Sequence, residues 1–117
     1  MNILIITDDK STKRVLEKEL TDLYHHVIFV SDAFEGVALL AKTTFELAIC
    51  DIQTPSVTRI SLPSLTMEFI RSKTPLVLLS SLKDDDLQVE TARLGAVEFL
   101  MKPVDFRKLA EIIDRYH

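Results

Sequence analysis

The sequence predicts an α/β domain built on a doubly wound, five-stranded parallel sheet with five helices. Short apolar segments alternate with helical patterns from one end of the chain to the other. Repeated β-then-α units of this kind form a parallel sheet with helices on both faces. A chain of 117 residues is long enough for one core and short for two. We therefore expect residues 1–117 to form a single domain.

Five short segments have the composition of buried parallel strands. Such strands are covered on both faces, so they read as nearly continuous apolar runs. The predicted strands are Ile3–Ile6, His26–Val30, Phe45–Cys50, Pro75–Leu79 and Ala96–Leu100.

The first three helices follow the first three strands. Leucines recur at helical spacing from Ser11 to Leu23, which predicts the first helix there. Asp32 and Glu35 have the spacing of a capping box and predict the start of the second. The third is expected near Pro63, because proline is tolerated in the first turn of a helix.

The last two helices are marked by their ends. The segment from Asp84 to Leu94 has acidic residues in its first turn and Gly95 just beyond it, which predicts the fourth helix. Asp105 is expected to open the fifth helix, which follows the last strand.

Composition and charge exclude several classes of protein. The chain has no apolar run long enough to span a membrane and no signal-peptide pattern. Its net charge of −4 argues against direct nucleic-acid binding. The single cysteine, Cys50, cannot form an internal disulfide and is expected to be a buried apolar residue. These features indicate a cytoplasmic protein.

Polar side chains follow four of the predicted strands. Asp8 and Asp9 come after the first, Asp51 after the third, Ser80 after the fourth and Lys102 after the fifth. Because parallel strands end at one edge of the sheet, we expect these groups to converge there. Mutual repulsion of the carboxylates would be relieved by a divalent cation, and oxygen ligands favour Mg²⁺. One carboxylate could then attack phosphorus and form an acyl phosphate.

This arrangement resembles the receiver domain of bacterial response regulators, the CheY-like family. The segments that carry the resemblance are ILIITDDK, LAICDIQTPS, PLVLLSS and GAVEFLMKP, in that order along nearly the whole chain. The resemblance implies a flavodoxin-like sheet of strand order 2-1-3-4-5. It also implies Mg²⁺ as the cofactor.

The resemblance assigns the phosphorylation and metal residues. It implies that Asp51 is the phosphoacceptor and a metal ligand. Asp9 resembles the direct Mg²⁺ ligand of the acidic pair, and Asp8 its water-mediated partner. The backbone carbonyl of Gln53, two residues past the acceptor, is implied as a further ligand.

The resemblance also assigns catalytic and switch residues. Ser80 looks like the switch hydroxyl and Lys102 like the phosphate-binding lysine, so both join Asp51 as catalytic residues. Phe99 occupies the position of the switch aromatic residue. The Lys102–Pro103 peptide bond is expected to be cis.

The resemblance further implies a signalling role in place of an enzymatic one. A sensor histidine kinase or phosphotransfer protein would donate the phosphoryl group, and the domain would promote only its own phosphorylation and dephosphorylation. The face made by the predicted fourth helix, fifth strand and fifth helix would then shift its preference toward a downstream effector. The same face is the expected site of any homodimer.

One segment departs from the family pattern and leaves an alternative open. In TPSVTRISLPSL, Thr58 and Arg59 stand where an acidic residue and a glycine are usual. We therefore expect a differently shaped loop and a later start of the following helix. The alternative function is a pseudo-receiver, a protein-interaction module that works without phosphate. A Mg²⁺-dependent phosphatase is disfavoured, since Gln53 stands where such an enzyme needs a second acid.

Overall fold

The sheet has the predicted architecture. The computed structural model describes residues 1–82, 85–96 and 98–116. The strands are β1 (Asn2–Ile6), β2 (His26–Val30), β3 (Leu47–Asp51), β4 (Leu76–Ser80) and β5 (Glu98–Met101). They form one parallel sheet in the order β2-β1-β3-β4-β5. The predicted fold class and strand order are confirmed.

The number of helices differs from the prediction. The described parts of the chain contain six helices, not five. They are α1 (Lys10–Asp22), α2 (Ala33–Leu40), α3 (Pro55–Ile60), α4 (Leu62–Arg71), α5 (Asp85–Leu94) and α6 (Phe106–Tyr116). The predicted start of the fourth helix at Asp84 lies outside the described residues.

The additional helix α3 occupies the segment that departs from the family pattern. Pro55 stands in its first turn, where the fixed φ of proline suits a helix. No glycine interrupts the segment, so the chain winds into a short helix in place of an extended loop. Ser61 then takes a φ of 77° and separates α3 from α4. Pro63 lies in the first turn of α4, as expected.

Two apolar cores cover the two faces of the sheet. Alternate residues of β1 point to opposite faces, with Ile3 and Ile5 in one core and Leu4 and Ile6 in the other. Residues of α1 and α6 complete the first core, and residues of α2, α3 and α4 complete the second. Within the described residues, no helix has the length and apolar character needed to cross a membrane.

The strand order determines where polar groups meet. β1 lies between β2 and β3, and β3 is the central strand, so the strand order reverses direction at the β1–β3 pair. Ile6 pairs with Cys50, and Asp51 pairs with Leu79, so these strands end at nearly the same level. In open parallel sheets the crevice at such a reversal point is the usual ligand site.

Cys50 is a core residue, and we expect it to be inert toward thiol reagents in the folded protein. Its side chain has no exposed surface. Burial, aided by the negative charge of Asp51, raises the pKa of the thiol far above its usual value. Alkylation should therefore proceed only through unfolding and accelerate in urea. Rapid modification of native protein, measured by mass spectrometry, would contradict this placement.

Candidate functional site

Asp51 is a buried carboxylate that accepts three hydrogen bonds from the described residues. Only 1% of its surface is exposed. Its Oδ2 atom accepts hydrogen bonds from Lys102 Nζ at 2.7 Å and from Thr7 Oγ1 at 2.8 Å. Its Oδ1 atom accepts the backbone N–H of Gln53 at 3.1 Å. A buried carboxylate requires partners of this kind, and the site supplies them.

Lys102 joins two of the carboxylates. Its Nζ atom also donates to Asp9 Oδ2 at 3.3 Å, so one ammonium contacts both Asp9 and Asp51. Burial alone would lower the pKa of Lys102. The hydrogen bond and charge of Asp51, followed by those of Asp9, outweigh that effect and raise the pKa. Lys102 therefore supplies a permanent positive charge at neutral pH.

Asp9 serves both the first helix and the site. Its Oδ1 atom accepts the backbone N–H of Ser11 as the N-cap of α1. Its Oδ2 atom accepts the Thr12 hydroxyl at 2.7 Å in addition to Lys102. The Thr12 hydrogen bond is the largest cause that lowers the pKa of Asp9, and Lys102 adds to it. Asp9 is consequently a second carboxylate kept in its charged form.

Asp8 is more exposed and is linked to the loop after β3 through Thr54. The Thr54 hydroxyl accepts the Asp8 backbone N–H at 3.3 Å and donates to Asp8 Oδ1 at 3.4 Å. The Thr54 side chain is buried. Asp8 therefore lies at the same edge as Asp9 and Asp51, although its carboxylate faces solvent.

Gln53 and Ser80 both accept hydrogen bonds from the loop that follows β4. The side-chain oxygen of Gln53, Oε1, accepts both the backbone N–H and the hydroxyl of Ser81, at 2.8 and 3.0 Å. The buried Ser80 hydroxyl accepts the backbone N–H of Leu82 at 3.0 Å. The Gln53 side chain thus spans from the end of β3 to the end of β4 beside Asp51.

Phe99 lies apart from the carboxylates. It is half-buried on β5 and lines a cavity of about 290 Å³ together with Thr91 of α5 and Lys108 of α6. The Lys102–Pro103 peptide bond is cis. Of the residues that the sequence predicted, the structure brings Asp9, Asp51 and Lys102 into direct contact.

The donor set suits a hard divalent cation. Asp8, Asp9, Asp51 and the Gln53 carbonyl offer oxygen atoms only, which is the ligand chemistry of Mg²⁺. With Lys102, the formal side-chain charge at this edge is about −2, so a divalent cation would neutralise it. The carboxylates of Asp9 and Asp51 are, however, turned toward protein donors. Among the residues that the structure describes, no three acidic, histidine or cysteine side chains surround a common point.

Three buried threonines that contact the site were not predicted from the sequence, and one of them is Thr12, which donates to Asp9. Thr7 contacts Asp51 and Asp9, and Thr54 contacts Asp8. The feature of the sequence that could have identified Thr7 is its position: it is a polar residue between an apolar strand and the acidic pair. The parallel register of β1 and β3 places it next to Asp51.

Comparison with known proteins identifies a family and several relatives. The model of the response regulator receiver domain matches residues 3–114. The transcriptional regulatory protein ZraR of Salmonella typhimurium is 24% identical over 98% of this chain and 26% of its own length. The response regulator protein FleR of Pseudomonas aeruginosa is 28% identical over 97% of this chain and 24% of its own length. The chain thus spans about a quarter of these curated relatives.

Solved structures share the fold at low sequence identity. Chemotaxis protein CheY4 of Vibrio cholerae has a TM-score of 0.83 and 22% identity, covering 99% of this chain and 98% of that one. The receiver domain of sensor histidine kinase PA1611 from Pseudomonas aeruginosa, with magnesium in its active-site cleft, has a TM-score of 0.81 and 22% identity. That match covers 98% of this chain and 95% of the other. Because the family model matches nearly the whole chain, this protein belongs to the response regulator receiver domain family of two-component signalling modules.

Proposed function

We propose that this receiver domain accepts one phosphoryl group on Asp51 in a Mg²⁺-dependent transfer. The donor would be the phosphohistidine of a sensor histidine kinase or a phosphotransfer protein. The observation that carries the proposal is the buried Asp51 carboxylate in contact with the Lys102 ammonium, next to Asp9. Phosphoryl transfer depends mainly on positioning and charge stabilisation, which these groups supply.

Each residue has a role that follows from its position. Asp51 supplies the attacking oxygen, and Lys102 balances the negative charge that arrives with the phosphoryl group. Asp8, Asp9 and the Gln53 carbonyl would hold Mg²⁺ together with Asp51. Bound Mg²⁺ would supply positive charge for the phosphoryl oxygens. Ser80 lies at the end of the adjacent strand, where its hydroxyl could donate to the phosphoryl group after leaving the Leu82 N–H.

A surface for the donor lies beside the acidic pair. An open cavity of about 360 Å³ is lined by Asp9 and Lys102 together with the apolar Val15 and Val104. Val15 is 42% exposed on α1. An imidazole-bearing partner could pack on these apolar groups while its phosphoryl group faces the carboxylates.

The output of the proposed switch is the face made by α5, β5 and α6. Phe99 lies on this face, where it lines a cavity with α5 and α6 and could turn inward as Ser80 moves. The two conformations would differ in affinity for an effector domain or protein, or for a second copy of the chain. The family match to residues 3–114 supports treating residues 1–117 as one receiver domain. A cytoplasmic location belongs to the same proposal.

The direct test is incubation with phosphoramidate, a small phosphodonor, followed by intact-mass measurement. With Mg²⁺ present we expect one phosphoryl group per chain, and with a chelator none. No adduct at any Mg²⁺ concentration would overturn the proposal and favour the pseudo-receiver. Continuous release of phosphate from a phosphomonoester would instead identify a phosphatase.

Mg²⁺ should stabilise the fold, and Asp9→Asn should weaken that effect. A ligand that binds only the native state adds about 2.7 kcal/mol at 100 times its Kd. Asparagine is also a good N-cap, so Asp9→Asn should fold while it removes one charged metal ligand. Thermal unfolding is measured in increasing MgCl₂, with NaCl at matched ionic strength as the control. Equal Mg²⁺-dependent gains for both proteins would contradict Asp9 as a ligand.

A further inference from the structure

We infer that the Thr7 hydroxyl is a positioning group for the phosphoacceptor, one that selects the attacking oxygen of Asp51 and favours the free carboxylate over the acyl phosphate. The inference rests on the proposed function and deepens it. Thr7 directly follows β1 and is 4% exposed. None of the roles assigned above from the family resemblance involves it.

The direction of the Thr7 hydroxyl proton is fixed by its two neighbours. Thr7 Oγ1 accepts the backbone N–H of Asp9 at 3.1 Å, so a lone pair of the oxygen points toward that group. Its single proton is then donated to Asp51 Oδ2 at 2.8 Å. Thr7 therefore acts on Asp51 as a donor, with a geometry set by the start of α1.

The two oxygens of Asp51 consequently differ in their free lone pairs. A carboxylate oxygen has two lone-pair sites. Those of Oδ2 are taken by Thr7 and Lys102, whereas Oδ1 has one donor among the residues that the structure describes, the Gln53 N–H. Oδ1 therefore has the lone pair that is free to attack, and Oδ2 would offer a lone pair to Mg²⁺ once Lys102 turns to the arriving phosphoryl group. In the transfer from phosphoramidate, an O–P bond forms at Oδ1 and the P–N bond breaks. The nitrogen leaves with that electron pair and takes up a proton from water.

The same hydrogen bond should shorten the life of the acyl phosphate. After transfer, Oδ2 becomes the carbonyl oxygen of a mixed anhydride, and Thr7 donates to a less charged acceptor. During hydrolysis, water attacks phosphorus, the O–P bond breaks and its electron pair returns to the carboxylate. Negative charge grows on Oδ2 at that point, so the Thr7 bond strengthens in the transition state. Thr7 thus assists release of phosphate and opposes its addition.

Three variants separate the hydroxyl from the rest of the side chain. Thr7→Val keeps the shape without the hydroxyl, and Thr7→Ser keeps the hydroxyl. The matched control is Thr66→Val, since Thr66 is equally buried but its hydroxyl donates to Leu62 O within α4. Each protein is phosphorylated with phosphoramidate and Mg²⁺. The ratio of phosphorylated to free chain is measured at a fixed donor concentration. The decay of the phosphorylated chain is then followed after the donor is removed.

We expect Thr7→Val to raise the ratio of phosphorylated to free chain about fivefold, the difference between a charged and a neutral hydrogen bond. The half-life should lengthen about two- to threefold, because part of the change in free energy slows the loss of phosphate and the rest speeds its addition. Thr7→Ser and Thr66→Val should match the wild type. In Mg²⁺-free buffer, Thr7→Val should also unfold at lower urea than Thr7→Ser, because buried Asp51 loses a donor.

A ratio or half-life in Thr7→Val that equals or falls below the wild-type value would overturn the inference while leaving the proposed function intact. An increase shared by Thr7→Ser would also overturn it, since the hydroxyl would then not be the cause. A wild-type chain that takes up no phosphoryl group would overturn both. If Thr7→Val does not fold, Thr7→Ala carries the same expectation.

Discussion

Asp51→Asn is expected to abolish phosphoryl transfer from both a kinase and a small donor. The amide oxygen has nearly the same place and size, but it carries no negative charge and is a poor nucleophile. The fold should survive, because Lys102 keeps Asp9 as a partner and asparagine can still accept a hydrogen bond. Intact-mass spectrometry of the variant, after treatment with phosphoramidate and Mg²⁺, should show the unmodified chain alone.

The matched control is Asp114→Asn, which removes an exposed carboxylate of α6 that lies near Leu23 and His25, before the start of β2. It should take up one phosphoryl group as the wild type does. Equal circular dichroism spectra would establish that both variants are folded. The same adduct on Asp51→Asn would refute Asp51 as the acceptor, and peptide mapping would then locate the carboxylate or hydroxyl that carries the group.

The sheet could be predicted because buried parallel strands have a distinctive sequence. The strand His26–Val30 has the predicted bounds, and the other four differ from the prediction by only one or two residues at an end. The most informative difference is at β3. The strand is predicted to end at Cys50, whereas in the structure it continues through Asp51. Asp51 pairs with Leu79, so backbone hydrogen bonds extend the strand past its apolar run. The acceptor is thus part of the rigid sheet.

Helix α3 could not be predicted because tertiary contacts stabilise it. A helix of this length is unstable alone and too short to show periodicity. Its Ser56 hydroxyl accepts the backbone N–H of Ala33 at 2.8 Å, and Val57 is buried in the second core. The hydrogen bond is made to α2, and the core around Val57 includes strands distant in the chain, so neither contact is visible to local pattern analysis.

The residues of the site likewise include some that the sequence predicts and others that it does not. Charged residues at strand ends were identifiable, because topology alone brings Asp9, Asp51 and Lys102 to one edge. The hydroxyl and amide partners were not, since a threonine before an acidic pair is compatible with many turn structures. Only the register of β1 against β3 shows that Thr7 faces Asp51. Partners of this type set the orientation of a reactive group, whereas the charges set its chemistry.

Lys102→Met should lower the free energy of unfolding by about 3 kcal/mol, the lower end of the cost of leaving a buried charge without its partner. Asp51 is 1% exposed and the Lys102 side chain 16%, so water replaces the lost ammonium poorly. The unfolding temperature should fall by about 10 °C for a domain of this size. Phosphoryl transfer should fall steeply as well, because Lys102 no longer offsets the incoming charge. Chemical and thermal unfolding in Mg²⁺-free buffer give the stability change.

The double variant Asp51→Asn/Lys102→Met distinguishes loss of the ion pair from a general packing defect. If the cost of Lys102→Met comes from the unpaired Asp51 charge, removing that charge should restore at least about 1 kcal/mol, as coupled neighbours typically show. Lys42→Met, at an exposed lysine after α2, is the matched control and should change stability little. Additive losses in the double variant would mean that Lys102 stabilises the domain through its methylene groups. Its proposed role as the positive partner of Asp51 would then be wrong, because a charge that contributes nothing in the free protein is not positioned to receive the phosphoryl group.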